Sequence, residues 1–324
     1  MDSLFGVSLT SILSGLMLVT SLIIALLIYI GWRHRLLLSM GFRNVIRRKT
    51  QTALIVIGLM LSTLIISAAF ATGDTVAYSV TNGTYWGFGN VDVIGEVKRD
   101  SPEGIQQKHV EQVRQHFASN ENVDGVTGTV KAYVPAINLD QLLSSPQAVL
   151  VGIDDLSFEA FGPLTSVSRC EELNTNALEN INCQLDIKNL EKNEVYVTYL
   201  LAEEIQISKN ETIRIYIENS PYDFKVKDII HDNNIVSHFS NDGGWGGVVT
   251  NIESSRSILK SPLRVDNILI SAQGGIRGTL DLIPGIENDF KELIKKNDLP
   301  IRTTQNKSEA IDFVKPIIAA FDAP

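Results

Sequence analysis

The sequence predicts a membrane protein: two N-terminal transmembrane α-helices plus an α+β extracytoplasmic domain. Three observations predict it. Two apolar runs, Leu9–Ile30 and Ala53–Ala71, carry no charged side chain. Between them lie Arg33, Arg35, Arg43, Arg47, Arg48 and Lys49, with no acid. The roughly 250 residues after Asp74, enough for a real core, interleave short strand and helix patterns without a regular strand–helix–strand repeat.

Residues 1–31 read as an anchor. Tyr29 and Trp32 fall where an interfacial aromatic belt belongs. A cleaved signal peptide needs a basic leader, whereas only Asp2 precedes this run, so the expectation is an uncleaved anchor with its N-terminus outside.

Residues 32–52 read as a cytoplasmic basic amphipathic helix. Leu38, Phe42, Val45 and Ile46 share one helical face, and Arg43 and Arg47 lie four apart on another. Such a helix lies along a membrane surface. A basic block between apolar runs belongs in the cytoplasm. Residues 53–72 read as the second transmembrane helix, closed by Thr72-Gly73-Asp74. At ~1.5 Å per residue the run Ala53–Ala71 spans ~28 Å, close to the hydrocarbon thickness. The alternative, a soluble protein with two buried core helices, is disfavoured by runs this long without charge.

The net charge of −9 is unevenly placed: 22 of 28 bases and 36 of 37 acids follow Gly73, leaving 14 net negative charges there. An acidic domain argues against nucleic acid as a partner. Cys170 and Cys183 are the only cysteines and lie on the outside, where a disulfide persists. A loop this short gains about 3 kcal/mol from a bridge. The bridge staples the polar insertion Ser166–Asp186; a reactive or metal-binding thiol pair lacks a nearby histidine.

Residues 73–308 form the outer domain. Asn82–Gly89 reads as a glycine-rich turn whose Tyr85, Trp86 and Phe88 either rest on the membrane or pack under the domain. Strands are expected at Val91–Val97, Val126–Leu139, Ala148–Gly152, Glu194–Val197, Val248–Asn251, Asp266–Ala272 and Ile301–Thr303. Thr212–Glu218 alternates strictly, and Ser220-Pro221 is expected to turn it into Tyr222–Ile230 as a hairpin. Helices are expected at Ser101–Ser119, Tyr199–Ile205, Ile252–Leu259 and Leu280–Asn297. Asn241–Gly247 reads as the most flexible stretch, either a partner-contacting loop tipped by Trp245 or a plain connection. From Lys307 the chain is helical, and residues 309–324 read as the start of a helix leading to a further membrane segment.

No catalytic constellation stands out. There is no phosphate-binding GxxxxGK[ST], HExxH, GxSxG or CxxC, and Gly87-x-Gly89 lacks a third glycine. No cofactor or metal is expected, and the chain is not read as an enzyme. His109 and His116 share a helical face read as solvated, and His231, Asp232 and His238 read as surface polar residues rather than an acid–base or metal pair. Asn82, Asn210 and Asn306 begin sequons.

The run Met40-Gly41-Phe42-Arg43-Asn44-Val45-Ile46-Arg47-Arg48-Lys49-Thr50, continuing to Leu61, resembles the start of FtsX/MacB-type ABC transporter permeases. Asn193–Ile205, Lys209–Thr212 and Tyr222–Ile229 resemble that family's strand–helix–turn–hairpin element, and Val248–Glu253 with Val265–Ser271 resembles its next unit. The order of parts, from Leu36 to Pro324, carries the resemblance rather than any single motif. The anchor Leu9–Ile30 is an addition to the family's plan.

The resemblance implies a permease subunit working with a separate ABC ATP-binding subunit, as a homodimer or paired permease. ATP hydrolysis in the cytoplasm would drive an extracytoplasmic domain for export, lipoprotein release or mechanotransmission. Phe42, Arg43, Arg47, Arg48 and Lys49 are the expected contacts with the ATPase; they equally hold topology and bind anionic membrane lipids. The location implied is the cell membrane, multi-pass, with the large domain extracytoplasmic. The alternative is a stand-alone membrane-anchored sensor or adaptor; an ectoenzyme comes third.

Overall fold

The computed structural model describes residues 3–4, 7–33, 39–40, 43, 47–101, 104–154, 160–171, 180–240, 243–304 and 306–321. These fall into two compact units, Met1–Thr72 and Gly73–Pro324.

In the first unit, helix α1 spans Leu9–Arg33, and helix α2, Lys49–Phe88, begins. Their apolar side chains are bare: Met17, Leu22 and Ile28 are exposed on α1, and Leu54, Leu59 and Leu64 on α2. A helix apolar on all sides is stable only inside a protein core or a bilayer, and these side chains have no protein core around them. Among the described residues, one helix is long and apolar enough to cross a membrane, α2; Met17–Ile30 is a shorter apolar stretch. The hydroxyls of Ser62, Thr63 and Thr72 donate to the carbonyls of Gly58, Leu59 and Ala68 one turn back, so each is paired within the helix.

The expected stop at Thr72-Gly73-Asp74 and turn at Asn82–Gly89 do not occur. Helix α2 runs on to Phe88 and ends at Gly89, whose φ of +57° suits a glycine. Contacts within the second unit override the poor helix propensity of Gly73, Gly83 and Gly87. The Arg277 guanidinium lies 5.4 Å over the Tyr85 ring and donates to Asn82 Oδ1 at 2.5 Å. Asn234 N donates to the Gly87 carbonyl at 2.7 Å. Tyr85, Trp86 and Phe88 are half-buried, and Tyr85 packs against the domain.

The second unit is α+β. In chain order it contains β1 (Val93–Val97), α3 (Gln107–Phe117), β2 (Val123–Asn138), β3 (Ser144–Ile153), β4 (Glu194–Thr198), α4 (Tyr199–Ile205), β5 (Thr212–Ile217) and β6 (Ser220–Ile230). Then come β7 (Gly247–Asn251), α5 (Ile252–Ile258), β8 (Asn267–Ala272), α6 (Ile283–Lys296), β9 (Ile301–Thr303) and α7 (Lys307–Phe321). The nine strands run in the order β5-β6-β4-β7-β3-β2-β8-β1-β9.

β2 is long enough to serve two layers. Its second half pairs with β3 and, at Ala136–Asn138, with Ile213–Ile215 of β5. That pairing closes β2, β3, β7, β4, β6 and β5 into a six-stranded ring. The ring is filled by Val134, Leu150, Val197, Ile213, Ile215 and Val226, together with Leu201 and Ile205 of α4. The first half of β2 pairs with β8, which continues through β1 to β9. Val110, Val113 and Phe117 of α3 and Ile283, Ile286 and Phe290 of α6 cover that wing.

Several boundaries differ from expectation: β1 starts at Val93, β2 at Val123 and β3 at Ser144, and three further shifts have local causes. Helix α3 starts at Gln107 rather than Ser101, because Ile105–Gln106 pairs as a strand with Arg264–Val265. Helix α6 starts at Ile283, with a proline in its first turn. The β5–β6 hairpin turns at Glu218-Asn219, both with positive φ, so Ser220-Pro221 already belongs to the strand. That backbone matches the twist of a two-residue hairpin.

Candidate functional site

One buried ion pair ties the segment between α2 and β1 to the start of α7. Asp92 follows the end of α2, and Lys307 is the first residue of α7. Lys307 Nζ lies 2.7 Å from Asp92 Oδ1, with side-chain exposures of 0% and 1%. Asp92 Oδ1 also accepts from Thr279 Oγ1, and its Oδ2 from Ala272 N, each at 2.7 Å. The backbones join there too: Lys307 N donates to the Asp92 carbonyl at 3.2 Å. Burial pushes the Lys307 ammonium below the ordinary lysine range, and the Asp92 carboxylate pulls it back up. Removing either partner of a buried charge pair is costly, because it strands the other charge away from water.

The start of α7 is fixed by Asn306. Its Oδ1 accepts from Glu309 N at 2.8 Å, its own N donates to Glu309 Oε2 at 3.3 Å, and its Nδ2 donates to Glu287 Oε2 at 2.8 Å. Asn306 is buried, so this sequon is closed to a glycan. Sequence reading missed Asp92 and Lys307. The available signal was an acid inside the apolar run Val91-Asp92-Val93-Ile94, a residue type that is buried only when paired.

The expected ATPase-contact residues fall in the first unit. Phe42 lies outside the described residues. Arg43, Arg47, Arg48 and Lys49 are all exposed, and Arg48 donates to Gln51 Oε1 at 3.3 Å. Much of the predicted 32–52 helix is also outside the described residues; Arg43 and Arg47 are helical.

Cys170 and Cys183 form the predicted disulfide, with Cα atoms 5.7 Å apart. It staples the base of the insertion, where Leu164–Thr165 pairs with Gln184–Leu185. The histidine the thiols were thought to lack is nearby: His231 Nε2 hydrogen-bonds the Cys170 carbonyl at 2.7 Å.

The other polar candidates make contacts within the fold. Asp232 accepts from Leu200 N at 2.8 Å and from the Ser237 hydroxyl, and burial raises its carboxyl above the usual range. His238 stacks on Trp245 with ring centroids 5.0 Å apart, and Tyr133 meets both edge-on. His109, expected on a solvated face, is buried, and its Nδ1 accepts from Gln106 N at 3.1 Å. His116 pairs with Asp289 at 2.8 Å. Among the described residues, no group of three or more His, Cys, Asp or Glu is arranged to hold a metal ion.

The stretch expected to be most flexible is partly a tight seam. Gly243–Trp245 pairs with His238–Ser240, and Gly246 and Gly247 are buried. A Cβ on Gly246 would lie 2.3 Å from Leu201 N, and one on Gly247 1.8 Å from the Val236 carbonyl oxygen. Glycine is required there for close backbone approach.

No family model matches the chain, and no curated protein matches it. Among solved structures, the periplasmic region of MacB from Actinobacillus actinomycetemcomitans matches 72% of this chain and 94% of its own, at 12% identity and a TM-score of 0.41. The extracellular domain of the noncanonic ABC-type transporter YknZ from Gram-positive bacteria matches 66% of this chain and 100% of its own, at 9% identity and a TM-score of 0.39. Likenesses at these scores do not speak to ligand or activity.

Proposed function

We propose that the chain is a permease subunit of an ABC transporter of the FtsX/MacB type. A separate cytoplasmic subunit hydrolyses ATP, and the domain Gly73–Pro324 works on the far side of the membrane. The observation that carries this reading is the Asp92–Lys307 pair. The pair couples the residue before β1 to the start of α7, two elements far apart in sequence, as a domain that transmits motion requires. The bare apolar face of α2, the basic residues that precede it and the resemblance of Met40–Leu61 and Asn193–Ile229 to such permeases support the same reading.

Arg43, Arg47, Arg48 and Lys49, with Phe42, are the proposed contact with the ATPase. Charge reversal of Arg43, Arg47 and Arg48 to Glu tests this. The expected result is loss of coupled ATP hydrolysis in membranes where the chain retains its topology. Unaltered coupling with unaltered topology contradicts it.

A further inference from the structure

A cavity of about 570 Å³ opens beside the disulfide, between β6, β4 and the turn after α4. Its wall carries Arg169, Lys209, Lys225 and Lys227 against Glu194 and Asp228. That is an excess of positive charge in a strongly acidic part of the chain. We propose that this cavity binds a small phosphate-bearing anion, gripped by Arg169, Lys209, Lys225 and Lys227. The site is independent of any ATPase partnership.

Two carboxylates hold three of the four cations in place and leave a surplus of positive charge. Asp228 is buried, and its Oδ2 lies 3.1 Å from Lys209 Nζ and 3.8 Å from Arg169 Nη2, so one carboxylate draws two cations together. Asp228 Oδ1 is fixed in turn by the hydroxyls of Ser166 and Ser168, each at 3.2 Å. Lys227 donates to Glu194 Oε2 at 2.5 Å and to the Asn189 carbonyl. Lys225 is exposed and, among the described residues, forms no ion pair. It sits two residues before Lys227 on β6, where a bulge at Val226/Asp228 interrupts the ladder with β4.

Phosphate is the chemistry that fits. It carries close to two charges, matching the surplus on the wall, and it accepts both from the planar fork of an arginine and from lysine point charges. The volume lies within the range of small-molecule sites and exceeds one phosphate, so there is room for an organic moiety. The disulfide organises one side of the site. Arg169 adjoins Cys170 and donates to the Asn182 carbonyl at 3.2 Å, so the stapled loop holds it beside Asp228 of β6.

Isothermal titration of the full chain in detergent tests the site, with pyrophosphate and, separately, dihexanoyl-phosphatidylglycerol as probes. The expected result is saturable binding of at least one probe, falling with added potassium chloride. Binding of pyrophosphate alone marks a soluble anion; binding of the short-chain lipid alone marks a headgroup. Lys225→Gln removes an exposed, unpaired charge without disturbing the fold and should weaken binding about tenfold, the effect of one direct charged contact. Lys225→Gln with Lys227→Gln should abolish it, whereas Lys295→Gln, on α6 and outside the cavity, should leave it unchanged. Failure of both probes to bind overturns the proposal. So does binding that is indifferent to Lys225→Gln, or weakened equally by Lys295→Gln.

Discussion

Lys307 Nζ and Asp92 Oδ1 meet at 2.7 Å in a place almost closed to water, although most of the second unit separates them in sequence. Their contact fastens the start of α7 to the residue just before β1. Lys307→Met leaves the Asp92 carboxylate buried without its countercharge, and Asp92→Asn does the same to the Lys307 ammonium. Each single change should cost about 3–5 kcal/mol in denaturant unfolding of the domain. The double variant should cost clearly less than their sum, because the asparagine still accepts from Ala272 N or Thr279 Oγ1 and no charge is stranded. Additive losses would show that the pair is not coupled.

The disulfide should act locally. Replacing Cys170 and Cys183 with serine should weaken the stapled segment by about 3 kcal/mol. Hydrogen exchange should rise in Leu164–Leu185 and stay slow in the ring strands β3 and β4. Faster exchange spread evenly over the ring would contradict a local staple.

Stability should fall in mild acid through His238. Burial lowers its pKa from 6.5, and the Lys131 ammonium lowers it further. The unfolded chain therefore takes up a proton that the folded chain refuses. This contribution is complete above pH 6.5 and is lost as the pH falls through the folded value. His238→Phe keeps a ring on Trp245 and removes the proton. Its melting temperature should vary less than the parent's between about pH 7.5 and about pH 5. Parallel curves would rule His238 out.

Gly247→Ala should destabilise the domain by about 1–3 kcal/mol or more, because the added methyl meets the Val236 carbonyl. Chemical denaturation measures it. An unchanged midpoint would mean that the seam is loose, as a flexible connection would be.

Much of the fold was legible. The alternation of Thr212–Ile217 gave a half-buried strand, and the seven residues Tyr199–Ile205 gave their helix to the residue. Cys170 and Cys183 announced their bridge. What escaped depends on distant partners. Gly83 and Gly87 read as a turn until Arg277 and Asn234, far along the chain, hold that segment helical. The run Asn241–Gly247 read as flexible because composition cannot tell freedom from close approach; Asn241 and Asp242 lie outside the described residues, and at Gly246 and Gly247 the neighbours Leu201 and Val236 make the difference. The pairing of Ile213–Ile215 with Ala136–Asn138, which closes the ring, leaves no local trace, and the acid in Val91-Asp92-Val93-Ile94 signals a buried partner without naming Lys307.

The most direct test of the account is to isolate the tagged chain from its native membrane in mild detergent and assay what accompanies it. The account predicts a stoichiometric ABC ATP-binding subunit and ATP hydrolysis that drops when Arg43, Arg47 and Arg48 are reversed to Glu. A chain that emerges alone, with no nucleotide-hydrolysing partner, would contradict the permease reading and favour a stand-alone sensor or adaptor.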